Sequence, residues 1–254
     1  MACTGAYMLP AIFVETMVEI YPEDVAQSAL LMRLSSLTAR ETVVRLYAVA
    51  SWIWGSFMLM DGIHTILAVV TVITGLFRPA DWPPLFGKPT EACGLRRFWG
   101  RFWHRLAVRS YSNYGRLVAQ SFGMLQHSHR TPGAGAVIAF TVFLISGLTH
   151  QVISWRLGTN DWLDLQWYLL NFAACFAETV IVSAVRSAAK QAGWARELAV
   201  IERSWLGWAI GFMWTFSFFF WGVPLWKFPR LHKQVTSFDR WMSIFSKMTI
   251  VPPT

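Results

Sequence analysis

The 254-residue chain is 55% hydrophobic and only 14% charged, with a mean hydropathy of +0.40. Because a soluble domain carries roughly a quarter charged residues, this composition excludes a water-soluble globule, a disordered chain and a secreted disulfide scaffold. The net charge of +8 lies mainly between apolar stretches, which favours anionic lipid headgroups or a phosphorylated ligand over nucleic acid as a partner. We therefore predict an all-α, multi-pass transmembrane protein.

Four uncharged or nearly uncharged stretches are long enough to cross the hydrocarbon core, which takes about 20 apolar residues. They are residues 46–77, 132–155, 165–185 and 204–226. The first is longer than one upright span and predicts either a strong tilt or a break near Asp61-Gly62. Because spanning segments satisfy their backbone hydrogen bonds internally, we expect four transmembrane helices in a single integral-membrane domain over residues 1–254.

The segment between the first two spans, residues 78–131, holds most of the excess positive charge. It contains nine arginine or lysine residues and two acidic residues. Short loops rich in these cations stay on the cytoplasmic side of a membrane. We therefore predict that residues 78–131 face the cytoplasm beside the lipid headgroups. The prolines of DWPPLFGKP, near the start of this segment, exclude a regular helix there.

The stretch GLRRFWGRFWHRLAVR, residues 94–109, combines a basic and an aromatic helical period. Arginines recur every four residues and aromatic residues at three- and four-residue spacing: Arg97, Arg101, Arg105 and Arg109, and Phe98, Trp99, Phe102 and Trp103. This pattern predicts one amphipathic helix at the membrane interface. Its arginines either reach lipid phosphates or bind an anionic ligand, in which case His104 on the same side faces a reaction site.

Three titratable side chains inside the predicted spans are functional candidates, because a polar group is costly in the bilayer. Asp61 lies in the first span, Glu178 in the third, and His150 in the string FLISGLTHQ of the second. Gly147 in the same string allows a neighbouring helix to approach closely. An imidazole titrates near neutral pH and can act as a general base. The residues alone favour the simpler alternative of a histidine that only hydrogen-bonds a neighbouring helix.

No metal site is predicted from the sequence. Cys3, Cys93 and Cys175 show neither metal-binding nor disulfide spacing. His127 and His129 have no carboxylate partner nearby and are typical of a solvated loop.

Two strings resemble motifs of a known enzyme family. Residues 81–105, DWPPLFGKPTEACGLRRFWGRFWHR, resemble the WPPLFG and SLRxFWGRxWH segment of the wax-synthase-like branch of the membrane-bound O-acyltransferases. FLISGLTHQ resembles the F-x-x-SG-x-x-H helix of that family, and the resemblance covers about residues 46–226. Within that branch, the strings resemble those of fungal acetyltransferases that acylate terpenoid or polyketide-terpenoid alcohols. The resemblance implies transfer of an acyl group, most simply acetyl, from acyl-CoA to a hydroxyl of an apolar, terpenoid-type alcohol.

The resemblance also implies roles for the candidate residues. His150 falls on the histidine that is regarded as catalytic in the family and is expected to be the general base. His104 is expected to hold the second substrate or to stabilise the thioester oxyanion. Substrate binding is assigned to Arg96, Arg97, Arg101, Arg105, Trp99 and Trp103, with the arginines on the CoA phosphates. Acyl-CoA is then a co-substrate, no cofactor is expected, and the location is the endoplasmic reticulum membrane.

Two other functions remain open at this point. A membrane-integral terpene cyclase would use Asp61 or Glu178 to protonate an epoxide or alkene. A non-catalytic membrane protein, such as a transporter or a truncated remnant, would fit a first span that is broken near Asp61.

Overall fold

A computed structural model describes residues 37–126, 129–131 and 133–248 of the protein. The helices in chain order are α1 (Ala39–Ile73), α2 (Leu95–Arg97), a π-helical turn (Phe98–Phe102), α3 (Val108–Ser121), α4 (Ala134–Arg156), α5 (Leu163–Gln191), α6 (Ala195–Arg203) and α7 (Trp205–Met248). Two 3-10 turns, Pro79–Asp81 and Pro89–Ala92, precede α2. Two antiparallel strands of two residues each, β1 (Leu125–Gln126) and β2 (His129–Arg130), lie between α3 and α4. The all-α class is confirmed.

Four helices are long and apolar enough to cross a membrane: α1, α4, α5 and the portion Trp205–Ser237 of α7. Each overlaps one predicted span, which confirms the multi-pass arrangement. Helix α1 has 35 residues and is therefore about 50 Å long, well above the roughly 30 Å of a hydrocarbon core. It passes Asp61-Gly62 without interruption, so the alternative of a break there is wrong. No proline within Ala39–Ile73 removes a backbone donor.

The basic stretch does not form the single amphipathic helix that its spacing predicts over residues 94–109. Helix α2 ends at Arg97, the π-helical turn follows, and Trp103 has an extended backbone. The Trp103 N–H donates to the Phe98 carbonyl oxygen at 2.7 Å, and the two rings stack with centroids 5.2 Å apart. Phe98 and Trp103 are both buried. Burial of two large aromatic rings against each other outweighs the local helical periodicity here.

By its internal contacts the chain forms two compact units. The described residues of the first are 37–62 and 218–248, and the second comprises residues 63–217. The candidates for the acyl-transfer site belong to the second unit, whereas Asp61 belongs to the first. The assignment of residues 1–254 to a single domain stays a prediction.

In the second unit, glycines set the distances between helices. At Gly115 of α3 a Cβ atom would lie 2.9 Å from the Cα atom of Ile138 in α4. At Gly147 of α4 it would lie 3.0 Å from Leu165 Cδ1 and from Tyr168 Cβ in α5. A real Cβ atom essentially never makes the first of these contacts, and the second would force its neighbours to shift, so glycine allows the closest packing at both positions. The predicted close approach at Gly147 is confirmed.

In the first unit, a buried arginine is enclosed by aromatic rings. Arg45 is 1% exposed, and its guanidinium carbon lies 4.6 Å from the ring centroid of Trp221. Its Nη2 atom forms an ion pair with Glu41 Oε1 at 2.9 Å, one helical turn earlier. The carboxylate and the ring faces together compensate a charge that would otherwise be costly to bury.

Candidate active site

His150 of α4 lies against Tyr168 of α5. Their rings are stacked, with centroids 5.0 Å apart and an interplanar angle of 19°. Gly147, one turn before His150, removes the side chain that would hold the two helices apart. The imidazole is half-buried. The structure therefore gives His150 a defined orientation against an aromatic face.

A pair of hydroxyl groups lies next to His150 along the chain. The Tyr111 Oη atom of α3 is 3.2 Å from Thr149 Oγ1. The Thr149 hydroxyl donates to the Ile145 carbonyl oxygen at 2.8 Å. Because a hydroxyl has one proton to donate, Tyr111 is the donor in the contact with Thr149. This hydrogen bond ties α3 to α4 at the level of the histidine.

His104 follows the π-helical turn and lies among aromatic rings. Its ring centroid is 5.9 Å from that of Phe86 and 5.7 Å from that of Trp103. Its Nδ1 atom is buried and has no hydrogen-bond partner among the described residues. A buried polar atom without a partner costs stability unless a ligand satisfies it. The Nδ1 atom is therefore a candidate contact for a substrate.

Burial lowers the pKa of His104 to about 4, and the positive charge of a protonated His150 lowers it further in the same direction. Ring contacts connect the two imidazoles: the Trp103 ring lies 5.7 Å from those of His104 and Trp99, and the Trp99 ring contacts Tyr168 beneath His150. At neutral pH, His104 is uncharged and carries one N–H. The site combines a neutral hydrogen-bond donor with a second imidazole, a group whose chemistry suits a general base.

The Trp99 and Trp103 rings contact each other, with centroids 5.7 Å apart, and each has further neighbours of its own. The Trp99 indole N–H donates to Asn171 Oδ1 at 2.9 Å, and Asn171 is fully buried on α5. The Trp99 ring centroid is 6.2 Å from that of Tyr168. Trp103 is packed in the interior between Phe86 and Phe98. Trp99 therefore packs against the Tyr168 ring on which His150 stacks, whereas Trp103 packs against the ring of His104.

Three of the four candidate arginines form ion pairs with carboxylates. Arg97 Nη2 and Arg101 Nη1 lie 3.3 Å and 3.2 Å from Glu91 Oε2. Hydrogen bonds from Arg101 and Arg97 lower the pKa of the Glu91 carboxyl below its usual value. Arg96 Nε lies 3.5 Å from Glu178 Oε1.

Arg105 is exposed, and within the described residues its guanidinium forms no ion pair. One carboxylate faces both Arg97 and Arg101, so this surface keeps an excess of positive charge. It can still attract an anion.

Metal binding has no support in the described residues. Across residues 37–126 and 133–248, no three His, Cys, Asp or Glu side chains come together as a metal site would require. His127 lies outside the described residues, as does the side chain of His129. The expected lack of a metal stays a prediction.

Residues 82–173 match the model of the family described as "Membrane bound O-acyl transferase family". This range contains His104, His150, Trp99, Tyr168 and Asn171. The chain belongs to the membrane-bound O-acyltransferase family. No solved structure matches the chain.

Curated relatives of the chain are fungal acetyltransferases. Acetyltransferase ple2 of Rhodocybe pseudopiperita is 26% identical over 75% of this chain and 48% of its own length. Acetyltransferase eriL of Hericium erinaceus is 28% identical over 74% and 45%. Acetyltransferase ataH of Aspergillus terreus is 30% identical over 67% and 54%. The chain thus spans about half the length of the curated relatives it matches.

Several residues of this candidate site do not stand out in the sequence. Tyr168 and Asn171 are three positions apart and share one face of α5. A polar amide within an apolar span was a signal that could have singled out Asn171. Tyr111 and Glu91 lie in a polar segment, where no local pattern distinguishes them from solvated residues.

Proposed function

We propose that the protein is an O-acyltransferase that moves an acetyl group from acetyl-CoA to a hydroxyl of an apolar, terpenoid-type alcohol. Membership of the O-acyltransferase family and the acetyltransferase relatives support the reaction class. The single observation that carries the proposal is the continuous series of ring contacts that connects the two histidines, from His150 through Tyr168, Trp99 and Trp103 to His104. Here one imidazole rests on an aromatic ring, and the other has a buried nitrogen open to a ligand.

The reaction needs a base, a donor for the oxyanion and a route for one proton. His150 takes the proton from the alcohol as its oxygen forms a bond with the thioester carbonyl carbon. The C–S bond then breaks, and the leaving CoA sulfur takes that proton from His150. The Tyr168 ring face beneath His150 stabilises the imidazolium that exists between these steps. Atoms and charge balance without a further reactant.

His104 has the complementary role in this scheme. Because its pKa is about 4, it stays neutral at the near-neutral pH at which the reaction would occur. In its Nδ1–H tautomer it donates a hydrogen bond to the oxygen that becomes negative when the alcohol attacks. A preorganised donor of this kind is typically worth about 10²–10³ in kcat. Burial strengthens the interaction because water does not compete for the oxyanion.

The basic surface formed by Arg97, Arg101 and Arg105 suits the CoA phosphates. Arg105 forms no ion pair within the described residues, and the other two share one carboxylate. Charge-assisted hydrogen bonds from guanidinium groups recognise phosphate well. This assignment requires the 78–131 segment to face the cytoplasm, where acyl-CoA is dissolved. The apolar alcohol would enter laterally from the lipid that surrounds the helices. We take this membrane to be that of the endoplasmic reticulum.

Two features favour this proposal over the alternatives from the sequence. Glu178 accepts hydrogen bonds from two N–H groups and pairs with Arg96, so its oxygens serve as acceptors within the protein, whereas a terpene cyclase needs an acid that donates a proton to its substrate. Helix α1 is continuous at Asp61, so the broken helix that would suit a transporter is absent there.

Microsomes containing the full chain test the proposal. They are incubated with isotopically labelled acetyl-CoA and a panel of terpenoid alcohols, and the products are read by mass spectrometry. Microsomes with His150→Ala serve as the matched control. We expect label to appear in an ester of at least one alcohol only with the unmodified chain. The absence of CoA-dependent esters across the panel, with the protein present in the membrane, would overturn the proposal.

A further inference from the structure

We propose that Glu178 is a positioning residue that anchors the segment leading to His104 and thereby sets the distance between the two histidines. The inference rests on the proposed function for its catalytic consequence. Glu178 is not one of the reacting groups. It lies on α5, C-terminal to Tyr168 and Asn171. It lies outside residues 82–173, which match the family model.

Three donors converge on the Glu178 carboxylate. Oε2 accepts the Leu95 backbone N–H at 2.7 Å and the Trp214 indole N–H at 2.9 Å. Oε1 pairs with Arg96 Nε at 3.5 Å. The side chain is only 12% exposed, so these bonds are largely shielded from water. Buried charge-assisted bonds are among the strongest that a side chain makes.

The backbone at the anchor point is fixed from a second helix as well. The Gly94 N–H donates to the buried Thr215 Oγ1 at 2.9 Å. Gly94 has φ +110°, and a Cβ atom there would lie 3.2 Å from Glu178 Oε1. A glycine is therefore needed both for the conformation and for the approach of the carboxylate. Helices α5 and α7 together hold two successive backbone N–H groups.

The anchored turn leads directly into the active site. Leu95 begins α2, and the π-helical turn that follows carries Trp99 and ends just before Trp103 and His104. Trp99 is tied to Asn171 on the same helix as Glu178. One helix therefore fixes both the start of the segment, through Glu178, and its middle, through Asn171. Movement of the start would shift His104 relative to His150, and small displacements of reacting groups are costly in rate.

Cys93 provides a readout that does not depend on activity. It is a free, buried thiol next to Gly94. A Cβ atom at Gly211 of α7 would lie 3.1 Å from the Cys93 carbonyl carbon, so the turn is packed tightly while it is anchored. Release of the turn would expose the thiol to alkylation.

The test compares Glu178→Gln with the unmodified chain in microsomes. Glutamine keeps the size of the side chain and one acceptor oxygen, but loses the charge and one acceptor. The control is Glu202→Gln, which removes an acid that forms a comparable ion pair with Arg186 at 2.9 Å on the exposed surface. Alkylation of Cys93 by N-ethylmaleimide is measured by peptide mass spectrometry, and kcat and KM are measured for both substrates.

We expect Glu178→Gln to raise the alkylation rate of Cys93 by about tenfold or more, the effect of losing one buried charged hydrogen bond. The kcat should fall by a similar factor, with the KM for the alcohol changed less than about twofold. Trp214→Phe, which removes one donor and keeps the ring, should give a smaller change in the same direction. Glu202→Gln should alter neither measurement.

Wild-type protection of Cys93 in Glu178→Gln would overturn the inference, as would exposure of Cys93 with unchanged kcat. If Glu178→Gln alone exposes Cys93 but the unmodified chain acylates no alcohol, the anchoring is supported and the proposed function has failed. If Glu178→Gln is lost from the membrane, the alkylation of Cys93 and the kcat are measured in Trp214→Phe, and the same results overturn the inference.

Discussion

The imidazole of His150 and the phenol ring of Tyr168 lie nearly parallel, with their centroids 5.0 Å apart. A ring face presents negative potential to a cation held above it. In the proposed reaction, the contact stabilises the imidazolium that forms when His150 accepts the alcohol proton. It also limits rotation of the imidazole, because Tyr168 itself is fixed beside Gly147.

The first prediction separates the ring of Tyr168 from its hydroxyl. Tyr168→Phe should keep kcat within about twofold, because the ring face remains. Tyr168→Leu should lower kcat by roughly five- to thirtyfold, the effect of losing a desolvated cation–π contact of about 1–2 kcal/mol. Acetyl transfer in microsomes is the measurement, normalised to the amount of protein. Equal losses in both variants would assign the role to the hydroxyl instead of the ring.

The second prediction concerns His150 as the base. His150→Ala and His150→Gln should both lose about 10²–10⁴-fold in kcat, the usual contribution of general-base catalysis. Both proteins should remain in the membrane with normal thermal stability. If His150 forms only a structural hydrogen bond, His150→Gln should instead keep much of the activity. Near-wild-type turnover by either stable variant would rule out the assignment.

The third prediction follows from the low pKa of His104. The folded protein has a pKa of about 4 at this site, against an ordinary value of 6.5, so the unfolded chain binds more protons between these pH values. The contribution of neutral His104 to stability is fully present above pH 6.5 and is lost as the pH falls toward 4. His104→Gln, which cannot titrate, should therefore lose less stability than the unmodified chain over this window.

Thermal unfolding in detergent at pH 7, 6, 5 and 4.5 measures this difference. The comparison between the two proteins cancels the titration of all other groups to first order. Parallel curves for the unmodified chain and His104→Gln would contradict the low pKa.

The fourth prediction concerns substitution of each member of the ion pair between Arg101 and Glu91. Arg101→Glu should raise the apparent KM for acetyl-CoA by about tenfold or more, because a charged phosphate contact becomes repulsive, and should leave the KM for the alcohol nearly unchanged. Glu91→Gln should lower the KM for acetyl-CoA by about two- to fivefold, since an exposed carboxylate no longer competes for the two arginines. High salt should reduce both effects.

Opposite changes in KM distinguish phosphate binding from an attraction of the arginines to lipid. If the arginines only reach lipid phosphates, neither substitution changes KM for acetyl-CoA selectively, and membrane association changes instead.

The sequence predicts those parts of the fold that the membrane itself dictates. The four spans follow from the absence of charge, because lipid cannot solvate an ion or an open backbone. Gly147 and His150 were recognisable because a glycine and a polar residue are informative within an apolar helix. The membership of the O-acyltransferase family was predicted from the strings around His104 and His150.

The remaining features depend on contacts between residues distant in sequence. Helical spacing over residues 94–109 predicts one continuous helix, but stacking of Trp103 on Phe98 ends it. Arg96 lies in the same basic stretch as Arg101, yet its partner is on α5. A local pattern shows which residues share a face and carries no information about what that face meets.

The aromatic surroundings of Arg45 have a consequence for the order of biogenesis. Arg45 is on α1, whereas the rings that surround it belong to α7, which is synthesised long afterwards. Until α7 emerges from the ribosome, none of these three ring faces is available to the guanidinium, whereas Glu41 lies on the same helix. The cation–π contacts that enclose the charge in the finished protein therefore form late in synthesis. Assembly of residues 37–62 is thus completed only after translation of the last membrane helix described.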